Sequence, residues 1–288
     1  MIKIFTDSTS YIPMEAQQEN DITVMPLSVT IDDKDFLETE ISNDTFYKSI
    51  KEAKALPKSN PLSVDDIKNA FEKELAEGNS ILAILISAKL SETYENACTA
   101  KKKLLGKYPR SNITIIDSQS GGMQEGLAVL AAAETAKSGA WLEDVVKAAD
   151  STIHHTKFIF MPETLKYLEY GGKLRRGQAI IGNALQIIPI LTAANGEIAP
   201  LESVRTKSKA LNRIIEIFKT DISKYGVRKI IIHHIDAIDT AQVLADQISE
   251  IASLEATICE IGAVIGANVG PGSVGIVYET IEALSEKE

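Results

Sequence analysis

The sequence predicts an α/β protein: an N-terminal α/β/α domain on a parallel sheet, then an α+β domain with a mixed sheet. Three observations carry this. Over the first half, short apolar strands alternate with helix-period segments, the signature of βαβ units. Two of those strands, Ile81–Ile86 and Ile113–Ile116, are unbroken apolar runs, as in a sheet covered on both faces. In the second half Asn195-Gly196 sits between apolar runs, a hairpin turn that demands antiparallel pairing. The boundary is expected near Ser151–Lys157, giving domains of residues 1–155 and 156–288.

Each element has a local reason. Ile2–Thr6 is a β-branched and aromatic run ended by Asp7-Ser8-Thr9-Ser10. Ile22–Ile31 alternates loosely and holds Pro26, so part of it belongs at an edge or bulge. Ser63 with Asp66 reads as a capping box, and Ile67, Phe71 and Leu75 follow at helical spacing. Ser91 reads as an N-cap for a helix with Tyr94, Ala97, Cys98, Leu104 and Leu105 on one face, closed by Gly106. An Ala-rich helix is expected over Met123–Lys137 and an amphipathic one over Leu142–Asp150.

Beyond the boundary, Phe158–Phe160 leads into a short helix ended by Gly171-Gly172. Ile187–Leu191 and Ile198–Leu201 flank the hairpin turn. A helix over Lys207–Lys224 follows, with Leu211, Ile214, Ile215, Phe218 and Ile222 on one face. Then come strand Lys229–Ile235, helix Thr240–Ala252, and strands Glu255–Ile261 and Val274–Tyr278.

Composition removes several function classes. Forty acidic against 30 basic residues give a net charge of -10, which disfavours a phosphate-neutralising surface and hence nucleic acid. Cys98 and Cys259 stand far apart in apolar segments, so neither a disulfide scaffold nor a structural zinc site is expected. No run of 18 or more apolar residues and no export-type N-terminus is present, which predicts a cytoplasmic protein without a membrane span. The P-loop, dinucleotide and nucleophile-elbow patterns are missing.

Candidate chemistry gathers at strand ends. The runs ending at Asp7-Ser8-Thr9, Ser87 to Thr93 and Asp117-Ser118 would bring hydroxyls and free N–H groups to the carboxyl edge of the sheet, where such folds bind ligands. A helix starting near Ser91 would add a partial positive charge suited to a carboxylate or phosphate. The same serines also read as simple helix caps, and the two readings are compatible. The histidines form two adjacent pairs, His154-His155 and His233-His234; neighbours on a strand face opposite ways, so no metal site is expected. His234, at a strand end, could face a site. Arg175-Arg176 and Arg205-Lys207-Lys209 are small basic clusters that read as solvated charge or as contacts for a phosphate or acidic partner.

Taken in order, these pieces resemble the DegV family of bacterial fatty-acid-binding proteins. Asp7-Ser8-Thr9 matches the family's opening Asp-Ser-Thr, and Pro57-Lys58-Ser59-Asn60-Pro61 looks like its Thr-Ser-Gln-Pro loop. Ile86 to Tyr94 matches Ile-Ser-Ser-x-Leu-Ser-Gly-Thr-Tyr, and Ile116-Asp117-Ser118 matches the Val-Ile-Asp-Ser strand end. Leu165 to Leu174 looks like Leu-x-Tyr-Leu-x-x-Gly-Gly-Arg-Ile; Ile188 to Leu191, Gly196 and Arg205 follow in register. Gly266 to Gly272 matches Gly-Thr-His-x-Gly-Pro-Gly.

The resemblance implies one long-chain fatty acid, such as palmitate, between two domains, with no other cofactor and no catalytic residue. Its carboxylate would be held by Ser59 and Ser91, with Asn60 and Thr93 beside them; Lys173, Arg205, Asn268 and His234 would be head-group or partner contacts. Some family members present the acid to the catalytic subunit of a separate fatty acid kinase, a partner this chain would then share. Five positions depart from the pattern: Lys58 replaces the loop threonine, Glu92 a glycine, Lys173 an arginine, Ile188 a lysine and Asn268 a histidine. They favour fatty acid binding over kinase coupling, since Asn268 cannot titrate near neutrality and Lys173 lacks a two-pronged donor. Two other classes stay open. A phosphotransferase would use the serine loops as an anion cradle with Asp7, Asp117 or His234 as base; a docking scaffold would use the basic clusters.

Overall fold

The computed structural model describes residues 1–174 and 187–284, so the Arg175-Arg176 cluster lies outside the described residues. β1 (Ile2–Asp7) leads through a 3-10 turn at Ser8–Ser10 to α1 (Met14–Glu19) and β2 (Ile22–Met25). An excursion holds β3 (Ser28–Ile31), β4 (Lys34–Leu37), α2 (Asn43–Glu52) and β5 (Lys58–Asn60). Then follow α3 (Val64–Ala76), β6 (Ser80–Leu85), α4 (Thr93–Lys107), β7 (Ile113–Asp117), α5 (Met123–Lys137) and α6 (Leu142–His155).

The first sheet runs β2-β1-β6-β7, parallel throughout. Both its faces are apolar because successive side chains point opposite ways. Phe5, Ile81, Ala83 and Leu85 pack with Ile67, Phe71 and Leu104 of α3 and α4. Ile4, Leu82 and Ile84 pack with Ala128, Ala132 and Val145 of α5 and α6. That is the expected doubly covered sheet.

The expected strand Ile22–Ile31 is two strands. Pro26 has no N–H to continue the ladder, so β2 stays beside β1 while β3 enters a separate antiparallel sheet, β4-β3-β5. Pro57-to-Pro61, expected as a loop, contains β5. The residue before a proline is held extended, which suits Asn60 to a strand end. α4 runs past Gly106 to Lys107. α6 continues to His155, so His154 and His155 lie in a helix's last turn and not on a strand; each donates from Nδ1 to a carbonyl, of Asp150 and Ser151 respectively, at 2.7 and 2.6 Å.

The second half comprises β8 (Thr156–Met161), α7 (Lys166–Tyr170), β9 (Ile188–Ala194), β10 (Glu197–Val204), α8 (Lys207–Tyr225), β11 (Lys229–Ile235), α9 (Ile238–Ala252), β12 (Thr257–Glu260), α10 (Ala263–Val269) and β13 (Ser273–Glu279). Its sheet is mixed, in the order β10-β9-β8-β13-β11-β12, with only β11 and β12 parallel among these pairs. The hairpin turns at Asn195-Gly196, both with positive φ, as an Asn-Gly turn requires. One face, with Ile159, Ile232 and Ile276, is covered by Ile214 and Phe218 of α8 and Leu244 and Ile248 of α9. The other face turns toward the first half: Ile231 and Val277 meet Met123 and Leu127 of α5. Among the described residues no helix is long and apolar enough to cross a membrane.

Candidate functional site

A cavity of about 290 Å³ lies where that second face meets the ends of the first sheet. Its wall is mostly apolar, with Phe158, Phe160, Ile198, Ile235, Val264 and Ile265 contributed by four elements, β8, β10, β11 and α10. Ser59, Asn60, Ser91, Lys173, Asn268 and the pair His233 and His234 supply most of its polar groups.

Ser59 stands on β5, opposite Val29 of β3. Its Oγ accepts from Asn268 Nδ2 at 2.9 Å, leaving its own proton to donate. Asn268 is fixed in turn, because the same amide donates to Val264 O one helical turn back at 2.8 Å. A Cβ on Gly171 would lie 2.6 Å from Asn268 Oδ1, so glycine there makes room for the amide. Asn60 uses its amide on β3, donating to Ser28 Oγ at 3.1 Å and Thr30 Oγ1 at 3.0 Å. It holds the strand that carries Ser59, and both its amide protons are already engaged.

Ser91 precedes α4 by two residues and is not its N-cap as expected; Glu92 takes that position without a side-chain bond. Ser91 Oγ instead accepts the Thr93 N–H at 3.2 Å and pairs with Thr93 Oγ1 at 2.9 Å. Thr93 is fully buried, away from the cavity wall, and its Oγ1 accepts from Leu62 N at 3.2 Å. Asn96 Nδ2 donates to Leu62 O at 2.8 Å, tying the Ser59 and Ser91 segments together. Leu62 N–H, the Thr93 hydroxyl and the Ser91 hydroxyl thus form one hydrogen-bonded chain behind the cavity. The start of α4 adds its partial positive charge.

Lys173 lines the cavity and donates from Nζ to Leu90 O at 2.8 Å, which puts an ammonium beside Ser91. Glu92, exposed, lines the rim nearby and opposes an anion there. Arg205, expected at the head group, lies exposed after β10 and outside the cavity wall. His234 lines the cavity, accepts from Ala237 N on Nδ1 at 3.4 Å, and burial pulls its imidazole below the usual range.

Of the three bases an enzyme could use, His234 lines the cavity, while Asp7 and Asp117 are engaged elsewhere. Asp7 accepts from Thr9 N, Thr9 Oγ1 and Ile86 N at 3.0, 2.6 and 2.8 Å. Asp117 Oδ1 accepts from Ala88 N and Gln119 N at 3.2 and 2.8 Å. Neither lines the cavity. Among the described residues no cluster has the make-up of a metal site.

Sequence reasoning missed α10 and His233. No element is expected over Ala263–Val269, yet Val264 and Asn268 are spaced by one helical turn, the signal that was available. Strand alternation argues only against the pair sharing one metal and does not single out His233; both histidines reach the wall at the end of β11.

Known proteins support the same picture. A sequence model for the family described as uncharacterised protein, DegV family, matches residues 1–280. A DegV domain-containing protein of Clostridium acetobutylicum is 39% identical over 279 residues, 97% of this chain and 98% of the relative. A Thermus thermophilus DegV-family structure described for its fatty acid binding superposes with TM-score 0.88 at 27% identity, covering 97% of this chain and 99% of that one. A Bacillus subtilis structure described as DegV, a fatty acid binding protein, does so with TM-score 0.86 at 30% identity, covering 97% and 99%.

Proposed function

The chain belongs to the DegV family, and we propose that it binds one long-chain fatty acid, such as palmitate, between residues 1–155 and 156–288, its carboxylate held by the Ser59 and Ser91 hydroxyls. What supports this reading most is the arrangement behind the two serines. Each Oγ accepts a hydrogen bond from a fixed neighbour, Asn268 for Ser59 and the Thr93 N–H for Ser91; the Ser59 proton is then available to a carboxylate, and the Ser91 proton is so when the Thr93 hydroxyl donates to it. Lys173 supplies the balancing charge. The remaining wall is greasy enough for the alkyl tail, which would supply most of the affinity.

The head end also meets solvent, because Lys58 and Glu92 flank the two serines and are exposed. A separate kinase would reach the carboxylate there, the binding protein supplying no chemistry of its own. Native mass spectrometry of the purified protein tests the reading. A bound mass in the long-chain fatty acid range is expected. A nucleotide mass, or failure of the stripped protein to take up palmitate, would overturn it in favour of an anion-handling enzyme.

A further inference from the structure

The fatty-acid reading leaves one polar feature of the cavity unused. His233 is 4% exposed and lines the wall from the end of β11. Its ring is clamped on several sides. The N–H of Met123, first residue of α5, donates to Nε2 at 3.2 Å. The Phe158 ring meets it edge-on with centroids 5.2 Å apart. Gly122 has φ +69°, and a Cβ there would lie 2.7 Å from His233 Cε1, so only glycine admits the ring.

An imidazole whose Nε2 accepts carries its proton on Nδ1. Burial, helped by His234, pulls this histidine down to about 3, so it stays neutral at working pH. Among the described residues nothing accepts from Nδ1, and His233 has no further interaction. That donor faces the cavity, and a chain that covers it without offering an acceptor leaves it unmade at a cost. A saturated chain cannot satisfy it.

Building on the fatty-acid reading, we propose that His233 is a specificity-determining residue whose Nδ1–H selects acyl chains bearing an oxygen acceptor, a hydroxyl or oxo group, at the depth of Gly122. An oxygen at that depth pairs with the waiting donor. At other depths along the greasy wall it would be stripped of water without a partner, so selection is regiospecific.

The test is calorimetric titration of the delipidated protein with palmitic acid and a positional series of monohydroxypalmitic acids. One mid-chain isomer is expected to bind about 2- to 10-fold tighter than palmitic acid, and the others more weakly. His233→Phe should lose that maximum, with no isomer binding tighter than palmitic acid does to the same variant. Should this variant fold poorly, the ¹⁵N shift of His233 Nδ1 in the wild type decides instead, moving only with the matched isomer. Palmitic acid binding with no maximum along the series overturns the role of His233 and leaves the fatty-acid reading standing. Binding of neither palmitic acid nor any hydroxy acid overturns both.

Discussion

Replacing Ser91 by alanine removes one hydroxyl from the head of the cavity and leaves the greasy wall intact. A sixteen-carbon chain burying about 14 methylenes gains about 11 kcal/mol at roughly 0.8 kcal/mol each, before association costs. One hydrogen bond to a carboxylate adds about 1.5–3 kcal/mol. Ser91 is only half-buried, so water replaces part of what is lost and the low end applies. Leu62 N still donates to Thr93 Oγ1, so the start of α4 survives. Palmitate affinity should therefore fall about tenfold by isothermal calorimetry, with the fold intact. Hexadecanol, which lacks the charge, should lose less. Complete loss of palmitate binding by a folded variant, or an equal loss for the alcohol, would refute a division in which the tail sets affinity and the head sets orientation.

Three further outcomes are expected. Asn268→Leu withdraws the donor behind Ser59 and should weaken palmitate several-fold; Gly171→Ala, which crowds Asn268 Oδ1, should do the same in the same titration. Glu38 clamps α10 from across the molecule: Oε1 accepts from Tyr11 Oη and Val264 N, both at 2.8 Å, and Oε2 from Ser8 Oγ at 2.5 Å. Glu38→Ala should cost about 1–3 kcal/mol in denaturant unfolding and also weaken palmitate, while Glu38→Gln, which can keep the clamp, should cost less. Glu125, bonded by Thr6 and Thr9, is held well above the usual carboxylate range by burial and by the charge of Asp7. The native state keeps this proton after the unfolded chain has released it, so its contribution is full below the ordinary glutamate range and is lost as pH rises through the folded value. Glu125→Gln does not titrate, and its melting temperature should gain on the wild type's as pH climbs from about 5 to 8.

The parts of the fold legible in the sequence are those where one force dominates. Ile81–Ile86 is apolar throughout because the strand is covered on both faces, and it falls where expected. Ser63 caps α3 through the Asp66 N–H, as the capping box implies. α1 buries no residue, so its six residues carry no apolar period to read. α2 was legible and overlooked: Ser42 caps it, and Phe46, Tyr47 and Ile50 share its buried side. At the site, serines after strand ends point to the cavity edge, yet of these Ser91 lines it and Ser8, Ser87 and Ser118 do not; Ser59, which also lines it, is legible only through the family resemblance. The supporting bonds were not legible. Asn268 meets Ser59 across 209 residues, and Leu62 meets Thr93 across 31, contacts that no local spacing encodes. Arg205 shows the reverse: a basic residue in the right order along the chain lies outside the cavity wall because β10 ends away from it.

A crystal structure of the palmitate complex tests the central claim most directly. The account predicts one acid per chain, its carboxylate oxygens within hydrogen-bond reach of Ser59 Oγ and Ser91 Oγ and its tail against Phe158 and Ile265. A carboxylate at the opposite end, or an acid bound outside this cavity, would contradict it.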